Sequence, residues 1–267
     1  MNVRAKPWAQ STRAWLYPEI NFGGYSRYDG TVAFYMRVAA LTTPASRVLD
    51  LGCGTGAHIM AASGFPRAVQ QLRGRVLEVI GADVDERARM NPFIDRFLLI
   101  EKDTVPLSAE SVDVCVCDWS LEHITRIDHF FDECYRVLRP GGYLCIRTPN
   151  ALHYSSLGAR MIPFRYHHAI RRWLHQFHSP SDVHPTYYRC NSRSRLRAKL
   201  HQAGFLPMVY AHRGESHLPG TGRLLGLVGE VIERLSPPLL WHELHAFGSK
   251  RATAMLQPAW SSSASGK

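Results

Sequence analysis

Val48-Leu49-Asp50-Leu51-Gly52-Cys53-Gly54-Thr55-Gly56 is the stretch on which the fold of this chain turns. An apolar, β-type run reaches an acid and then breaks into three glycines at alternate positions. That is the pattern of a buried strand entering a tight turn, where backbone N–H groups approach a ligand with no Cβ in the way. A parallel α/β fold binds its ligand at this place, the carboxyl end of the first strand. Gly52, Gly54 and Ala57 also satisfy the loose dinucleotide pattern G-x-G-x-x-G/A. Asp50 argues against that reading, because a carboxylate just before the turn repels a pyrophosphate. It suits a ligand that brings an ammonium group.

Three more motifs follow in order. Val79-Ile80-Gly81-Ala82-Asp83-Val84-Asp85 is a second apolar strand ending in an acid. Val112-Asp113-Val114-Cys115-Val116-Cys117-Asp118 runs on to Leu121-Glu122-His123-Ile124. Glu133, Arg136-Val137-Leu138-Arg139-Pro140-Gly141-Gly142-Tyr143-Leu144 and Thr148-Pro149-Asn150 complete the series. From about Gly24 to Lys250 the chain resembles a class I S-adenosylmethionine-dependent methyltransferase of the bacterial type 11 kind. The resemblance implies a Rossmann-like doubly wound α/β sheet, mostly parallel with one antiparallel strand and helices on both faces. It implies S-adenosyl-L-methionine as cofactor, whose methionine part carries the ammonium that Asp50 suits.

By the same resemblance Gly52, Cys53, Gly54 and Gly56 contact the cofactor, Asp83 holds the ribose hydroxyls, and Val84 lies beside it. Two neighbouring hydroxyls match the two oxygens of a carboxylate. The acid that reads adenine precedes a Leu-Pro-Phe element, degraded here to Val105-Pro106-Leu107, which favours Glu101 with Asp103 second. Asp118 and Trp119 follow the fourth strand, beside the methionine part. Upstream, Arg27 and Tyr28 are candidates to close over the cofactor carboxylate. Phe22 to Thr31 and Pro185 to Arg189 resemble a bacterial subgroup with no substrate to assign.

A chain of 267 residues, 45% of them hydrophobic, accommodates one large α/β domain with insertions. No apolar run approaches the roughly 20 residues that span a bilayer, and Met1 to Gln10 has no apolar signal stretch. The six cysteines form no C-x-x-C pair and read as reduced core thiols, which fits a cytoplasmic protein. The net charge of +10 is concentrated. Between Ala151 and His201 nine Arg or Lys face one acid, Asp182, and seven of the fourteen histidines lie there. That segment is a candidate contact surface for a negatively charged partner.

The hydrophobic pattern predicts a helix over Asp29–Leu41, strands at Arg47–Leu51, Arg75–Ala82, Phe97–Ile100 and Val112–Cys117, and one helix from the glycines to about Phe65. A helix over Asp128–Leu138 should stop at the Pro140-Gly141-Gly142 turn before a strand at Tyr143–Arg147. Asn191 or Ser192 should cap a basic helix ended by Gly204, and Phe205–Tyr210 and Glu243–Lys250 should be the last strands. This divides the chain into a cap segment and helix (1–45), a methyltransferase domain (46–250) and a disordered tail (251–267). Inserts at 151–190 and 220–240 are read as substrate lids over the cleft.

Two histidines follow motifs at the carboxyl ends of strands. Removing a proton from an oxygen acceptor suits an imidazole, so His123 is the leading general-base candidate and His153 the fallback. His167, His168, His175 and His178 invite a metal reading, but no H-x-x-x-H with a helical acid and no carboxylate cluster accompanies them, so no metal is expected. The expected function is methyl transfer to oxygen on a small molecule, with anionic, sugar-linked and natural-product acceptors among the options. The alternative is a nucleic-acid methyltransferase or binder using the basic 151–201 segment. It is weakened because Asp118-Trp119-Ser120-Leu121 stands where amino-methylating enzymes carry Asn/Asp-Pro-Pro-aromatic. A dinucleotide oxidoreductase, disfavoured by Asp50, and a non-catalytic binding protein complete the set. The oligomeric state is not legible.

Overall fold

A computed structural model describes residues 7–161, 185–216 and 222–252. In chain order the elements are α1 (Pro7–Leu16), α2 (Gly30–Leu41), β1 (Arg47–Leu51), α3 (Ala57–Ala61), α4 (Gly64–Gln70), β2 (Glu78–Asp83), β3 (Arg96–Leu99) and β4 (Val112–Asp118). They continue with α5 (Ile127–Val137), β5 (Leu138–Pro149), α6 (Tyr154–Met161), α7 (Arg193–Gln202), β6 (Leu206–His212), α8 (Arg223–Leu235) and β7 (Glu243–Ser249). The sheet order is β3-β2-β1-β4-β5-β7-β6. The first five strands are parallel, and β7 runs antiparallel between β5 and β6. This is the expected doubly wound sheet with its antiparallel strand.

Side-chain alternation along the central strands builds a core on each face. Leu49, Leu51, Cys115 and Cys117 pack with Phe131 and Val137 of α5 and Leu196 of α7. Val48, Val114 and Val116 pack with Phe34, Tyr35 and Val38 of α2 and Val69 of α4. Strands covered on both faces must be apolar on both faces, which is why their sequences read as near-continuous apolar runs. All six cysteines are unpaired and buried.

Asp29 caps α2, its side chain accepting from the Val32 N–H at 3.0 Å. The expected single helix after the glycines is two, α3 and α4, because Gly64 sits at φ +60° and Pro66 follows. Strand β5 starts five residues earlier than expected, at Leu138. The Pro140-Gly141-Gly142 turn does not end the ladder: the Gly141 N–H donates to the Lys250 carbonyl and the Lys250 N–H to the Gly142 carbonyl, both at 2.9 Å. Ser192 occupies the N-cap of α7 without a capping side-chain bond. Asn191 instead donates to Thr148 Oγ1 at 2.6 Å. Gly204 follows α7 at φ +95°, as expected of a C′ glycine. Helix α1 was not expected. Most of the 151–190 insert, and the tail from residue 253, lie outside the described residues; the 220–240 insert contributes α8. Among the described residues no helix is long and apolar enough to cross a membrane.

Candidate active site

The three glycines do different work. All have positive φ (Gly52 +74°, Gly54 +49°, Gly56 +75°), a region open to glycine and costly for other residues. A Cβ on Gly52 would stand 2.3 Å from Ser120 Oγ, and one on Gly56 would stand 2.6 Å from Asn91 Oδ1. A Cβ on Gly54 would meet nothing within 4 Å. Gly52 and Gly56 let the turn pack, and Gly54 leaves a cradle open. Asn91, which carries no motif signal, ties the turn down by donating to the Cys53 and Gly54 carbonyls at 2.9 and 3.1 Å. The Cys53 side chain is buried, so only its backbone is available to a ligand.

Around this cradle stand the strand-end acids. Asp83 accepts from the Gly54 N–H and from the Asp85 N–H, each at 2.9 Å. Those bonds take one lone pair on each carboxylate oxygen and leave acceptor capacity for two hydroxyls. Val84 beside it is exposed. Asp50 keeps some open surface and has no hydrogen bond or ion pair among the described residues. Burial, then the nearby Asp118 and Asp83, push its pKa up to about 7. A carboxylate held near other carboxylates with no cation beside it fits a ligand ammonium. The open cradle at Gly54, the hydroxyl acceptor at Asp83 and the uncompensated Asp50 together suit S-adenosylmethionine.

Asp118 is less available than the sequence suggested. It holds Arg147 in a two-pronged ion pair, at 2.7 and 2.9 Å, with both side chains buried. Arg147 also donates to Thr31 Oγ1 at 2.6 Å and approaches Glu243 at 3.7 Å. Burial opposes its charge, but Asp118 and Glu243 outweigh that and raise its pKa. The Arg147 guanidinium and the nearby imidazoles of His242 and His245, the latter 3.6 Å away, overcome burial to hold Glu243 well below the usual carboxylate range. Glu243 fills the space where a Cβ on Gly30 would sit, 1.6 Å from its Oε1. Trp119 is half exposed at φ +52°, with its indole 5.6 Å from the His242 ring and the Arg147 guanidinium 5.8 Å from its face. A bulky residue held in that region is strained, a state that persists where the surroundings enforce it.

His123 lies in a short 3₁₀ turn (Leu121–His123) after β4. Ser120, just before it, points its hydroxyl between the Asp118 and Gly52 carbonyls, at 3.2 and 3.4 Å, which sets this turn against the glycines. The His123 Nδ1 lies 2.8 Å from the Pro185 carbonyl. A carbonyl only accepts, so Nδ1 carries a proton, and in the neutral ring the lone pair then falls on Nε2, the tautomer a general base needs. Glu122 Oε1 is 3.9 Å from Nε2, too far for a hydrogen bond. Burial pushes the Glu122 pKa up to about 7, while Thr148 donates to its carboxylate at 3.1 Å.

His153 does not belong to this cleft. It is fully buried, its Nε2 3.0 Å from Glu233 of α8 and its Nδ1 2.7 Å from Ser155 Oγ. An imidazole closed off by a partner 80 residues away reaches no acceptor, so the fallback base is corrected to a structural link. Tyr28 is half-buried, with its ring under the Arg213 guanidinium at 4.1 Å and its carbonyl 3.4 Å from His212 Nε2. Arg27 pairs with Glu19 at the surface. Glu101 is exposed beyond β3, in a tight bridge with Thr104. Asp103 in that bridge pairs with Arg126. His167, His168, His175 and His178 lie outside the described residues.

The comparisons with known proteins agree with this geometry. A family model described as a methyltransferase domain, of type 11, matches residues 49–146. A malonyl-[acyl-carrier protein] O-methyltransferase of Methylococcus capsulatus is 31% identical over 147 residues, covering 48% of this chain and 50% of that protein. A probable S-adenosylmethionine-dependent methyltransferase of Mycolicibacterium smegmatis is 37% identical over 116 residues, covering 40% of each chain. The chain thus spans about half the length, or less, of these relatives. A solved S-adenosylmethionine-dependent methyltransferase from Archaeoglobus fulgidus shares the fold at a TM-score of 0.52 and 18% identity, covering 88% of this chain and 99% of that one. Residues 49–146, from β1 to β5, thus match the type 11 methyltransferase domain, and the four motifs stand together on one doubly wound sheet of the kind the solved methyltransferase shares.

Proposed function

We propose that this chain transfers a methyl group from S-adenosylmethionine to an oxygen atom of a small-molecule acceptor. The observation that carries the reading is the Gly54 cradle flanked by Asp50 and Asp83. Bound there, the cofactor supplies a methyl group on a positively charged sulfur. Asp50 would hold the ligand ammonium and Asp83 would accept from the ribose hydroxyls, and Val84 and Glu101, both exposed, would be available to the adenine. Trp119 narrows the cleft after β4. Most of the rate comes from holding acceptor oxygen and methyl in line. His123, with Nε2 unprotonated, takes the acceptor proton. The O-methyltransferase among the relatives supports oxygen as the methylated atom.

An anionic acceptor finds support in a depression of about 660 Å³ between α5 and α7, where Arg189 and Arg195 stand beside the Lys199–Asp128 and Arg126–Asp103 pairs and leave a net positive lining. The nucleic-acid alternative has the same charge in its favour and no recognisable binding module.

The test is a methyl-transfer assay over a panel of hydroxyl, carboxyl and amine acceptors, read by release of the demethylated cofactor. Turnover on an oxygen acceptor is expected, with kcat lowered by about 10²–10⁴-fold in His123→Ala and cofactor affinity unchanged. Turnover only on amines or nucleic acid sinks the oxygen reading, and full activity of His123→Ala removes the general base.

A further inference from the structure

Helix α8 is packed inside out. Gly226, Gly229, Glu230 and Glu233 face the protein, while Leu224, Leu225, Leu227, Val228, Val231 and Leu235 are exposed, Leu224 and Leu235 at 74% and 79%. A surface helix ordinarily buries its apolar stripe. Here polar anchors forbid it. Glu230 accepts from Tyr17 Oη at 2.6 Å and is ion-paired to Arg213 and Arg234. Glu233 is bonded to the buried His153. Rolling the helix to bury its leucines would strand Tyr17, Arg213 and His153 without these carboxylates. The apolar face is therefore held outward by design of the packing beneath it.

The surface continues past the helix. Trp15 of α1, which packs against α8, is half exposed, with the Arg223 guanidinium 5.9 Å from its ring. Beyond the helix Leu239 is exposed as well. His153, bonded to Glu233 on the inner face of α8, stands just before α6, and Arg223 opens α8 beside Trp15. Exposed leucines and Arg223 on one short helix, with Trp15 of the neighbouring α1 beside them, are the makings of an element that lies in the plane of a bilayer surface. A second copy is the weaker occupant, because each copy carries +10 and would repel the other, whereas an anionic surface attracts both.

We propose that the outward face of α8, with Trp15 and Leu239, docks the protein peripherally on an anionic phospholipid bilayer. This stands independently of the acceptor. The experiment is flotation of the full chain with vesicles of phosphatidylcholine alone or with about 30% phosphatidylglycerol, at low and high salt. Leu224, Val228 and Leu235 are then replaced together by Gln, changes that leave the inner face of α8 intact. Expected are salt-sensitive flotation with the anionic vesicles, a blue shift of tryptophan emission, and a drop of at least about tenfold in apparent affinity in the triple variant. S-adenosylhomocysteine affinity, by calorimetry, should stay within about twofold, which shows the fold intact and separates this test from that of the methyltransferase reading. Failure to float in low salt overturns the proposal. So does flotation unaffected by the triple substitution, which would leave charge alone. Loss of self-association in the variant, with no vesicle binding by the native chain, would assign the face to a second copy instead.

Discussion

With Asp50 facing the ligand ammonium as proposed, cofactor binding should release a proton near neutrality. In the free protein burial and the carboxylates of Asp118 and Asp83 push its pKa up to about 7. An ammonium beside it favours the ionised form, so the bound pKa falls. The sign follows: the free protein carries more protons than the complex below about pH 7, so affinity weakens as pH drops and levels off above about pH 8. With a bound value below about 5, affinity at about pH 5.5 should be about 30-fold weaker than at about pH 8, or about 2 kcal/mol.

Calorimetry with S-adenosylhomocysteine, which keeps the ammonium but transfers no methyl, in buffers of different ionisation enthalpy reads the protons directly. Nearly one proton per ligand should leave at about pH 6 and about a tenth of one at about pH 8. Asp50→Asn should flatten the profile and hold affinity at or below the acid limit of the native chain. A native profile with no slope across this range, or the same slope in Asp50→Asn, refutes the assignment of Asp50 to the ammonium.

Gly54→Ala should cost about 1–2 kcal/mol of stability for its positive φ, yet reduce cofactor affinity far more, because its methyl group would occupy the cradle. Gly52→Ala should do the reverse, unfolding readily through its clash with Ser120; thermal melts paired with calorimetry separate the two. Glu122, with a folded pKa of about 7 against an ordinary 4.5, binds more protons folded than unfolded between those values. Its contribution is therefore favourable below about pH 4.5 and lost as pH rises through about 7, on the order of 3 kcal/mol. Glu122→Gln should raise the melting temperature at about pH 8 and change it little at about pH 5, and an equal shift at both would count against this. Arg147→Met should destabilise by about 3–5 kcal/mol by stranding Asp118 and Glu243, and adding Asp118→Leu should recover much of that in denaturant titrations.

Strands β1, β2 and β4 were legible because each is an apolar run buried on two faces with an acid at or next to its end. Boundaries failed where a local signal competes with a long-range ladder. Pro140-Gly141-Gly142 has turn chemistry, yet its backbone is captured by Lys250, more than a hundred residues on, and the strand continues through it. Gly64 and Pro66 cut a helix that apolar content alone extended. Helix α1 has a sequence of mixed character, and its reason to form is a partner, α8, more than two hundred residues away.

The site divides along the same line. Asp50, Asp83 and the glycines declare themselves by position, since a strand end and a tight turn constrain residue type locally. Asn91, Ser120, Gly30 and Arg147 are silent, because each takes its role from a group distant in sequence: the glycine-turn carbonyls for Asn91 and Ser120, Glu243 for Gly30, Asp118 for Arg147. His153 is the instructive failure. Its place just beyond β5 is one where a catalytic histidine would stand, and nothing near it in sequence warns that Glu233 closes it off. That contact also orients α8, so the residue misread as a base is one of the two anchors that turn the leucines of α8 to the outside. A His153→Ala variant would report on both roles at once. If the buried pair orients α8, the variant should bind S-adenosylhomocysteine normally, lose vesicle flotation and melt about 2–4 kcal/mol earlier in denaturant, with the Glu233 carboxylate left uncompensated. Intact flotation with lost turnover would return His153 to the chemistry and take the anchoring argument down with it.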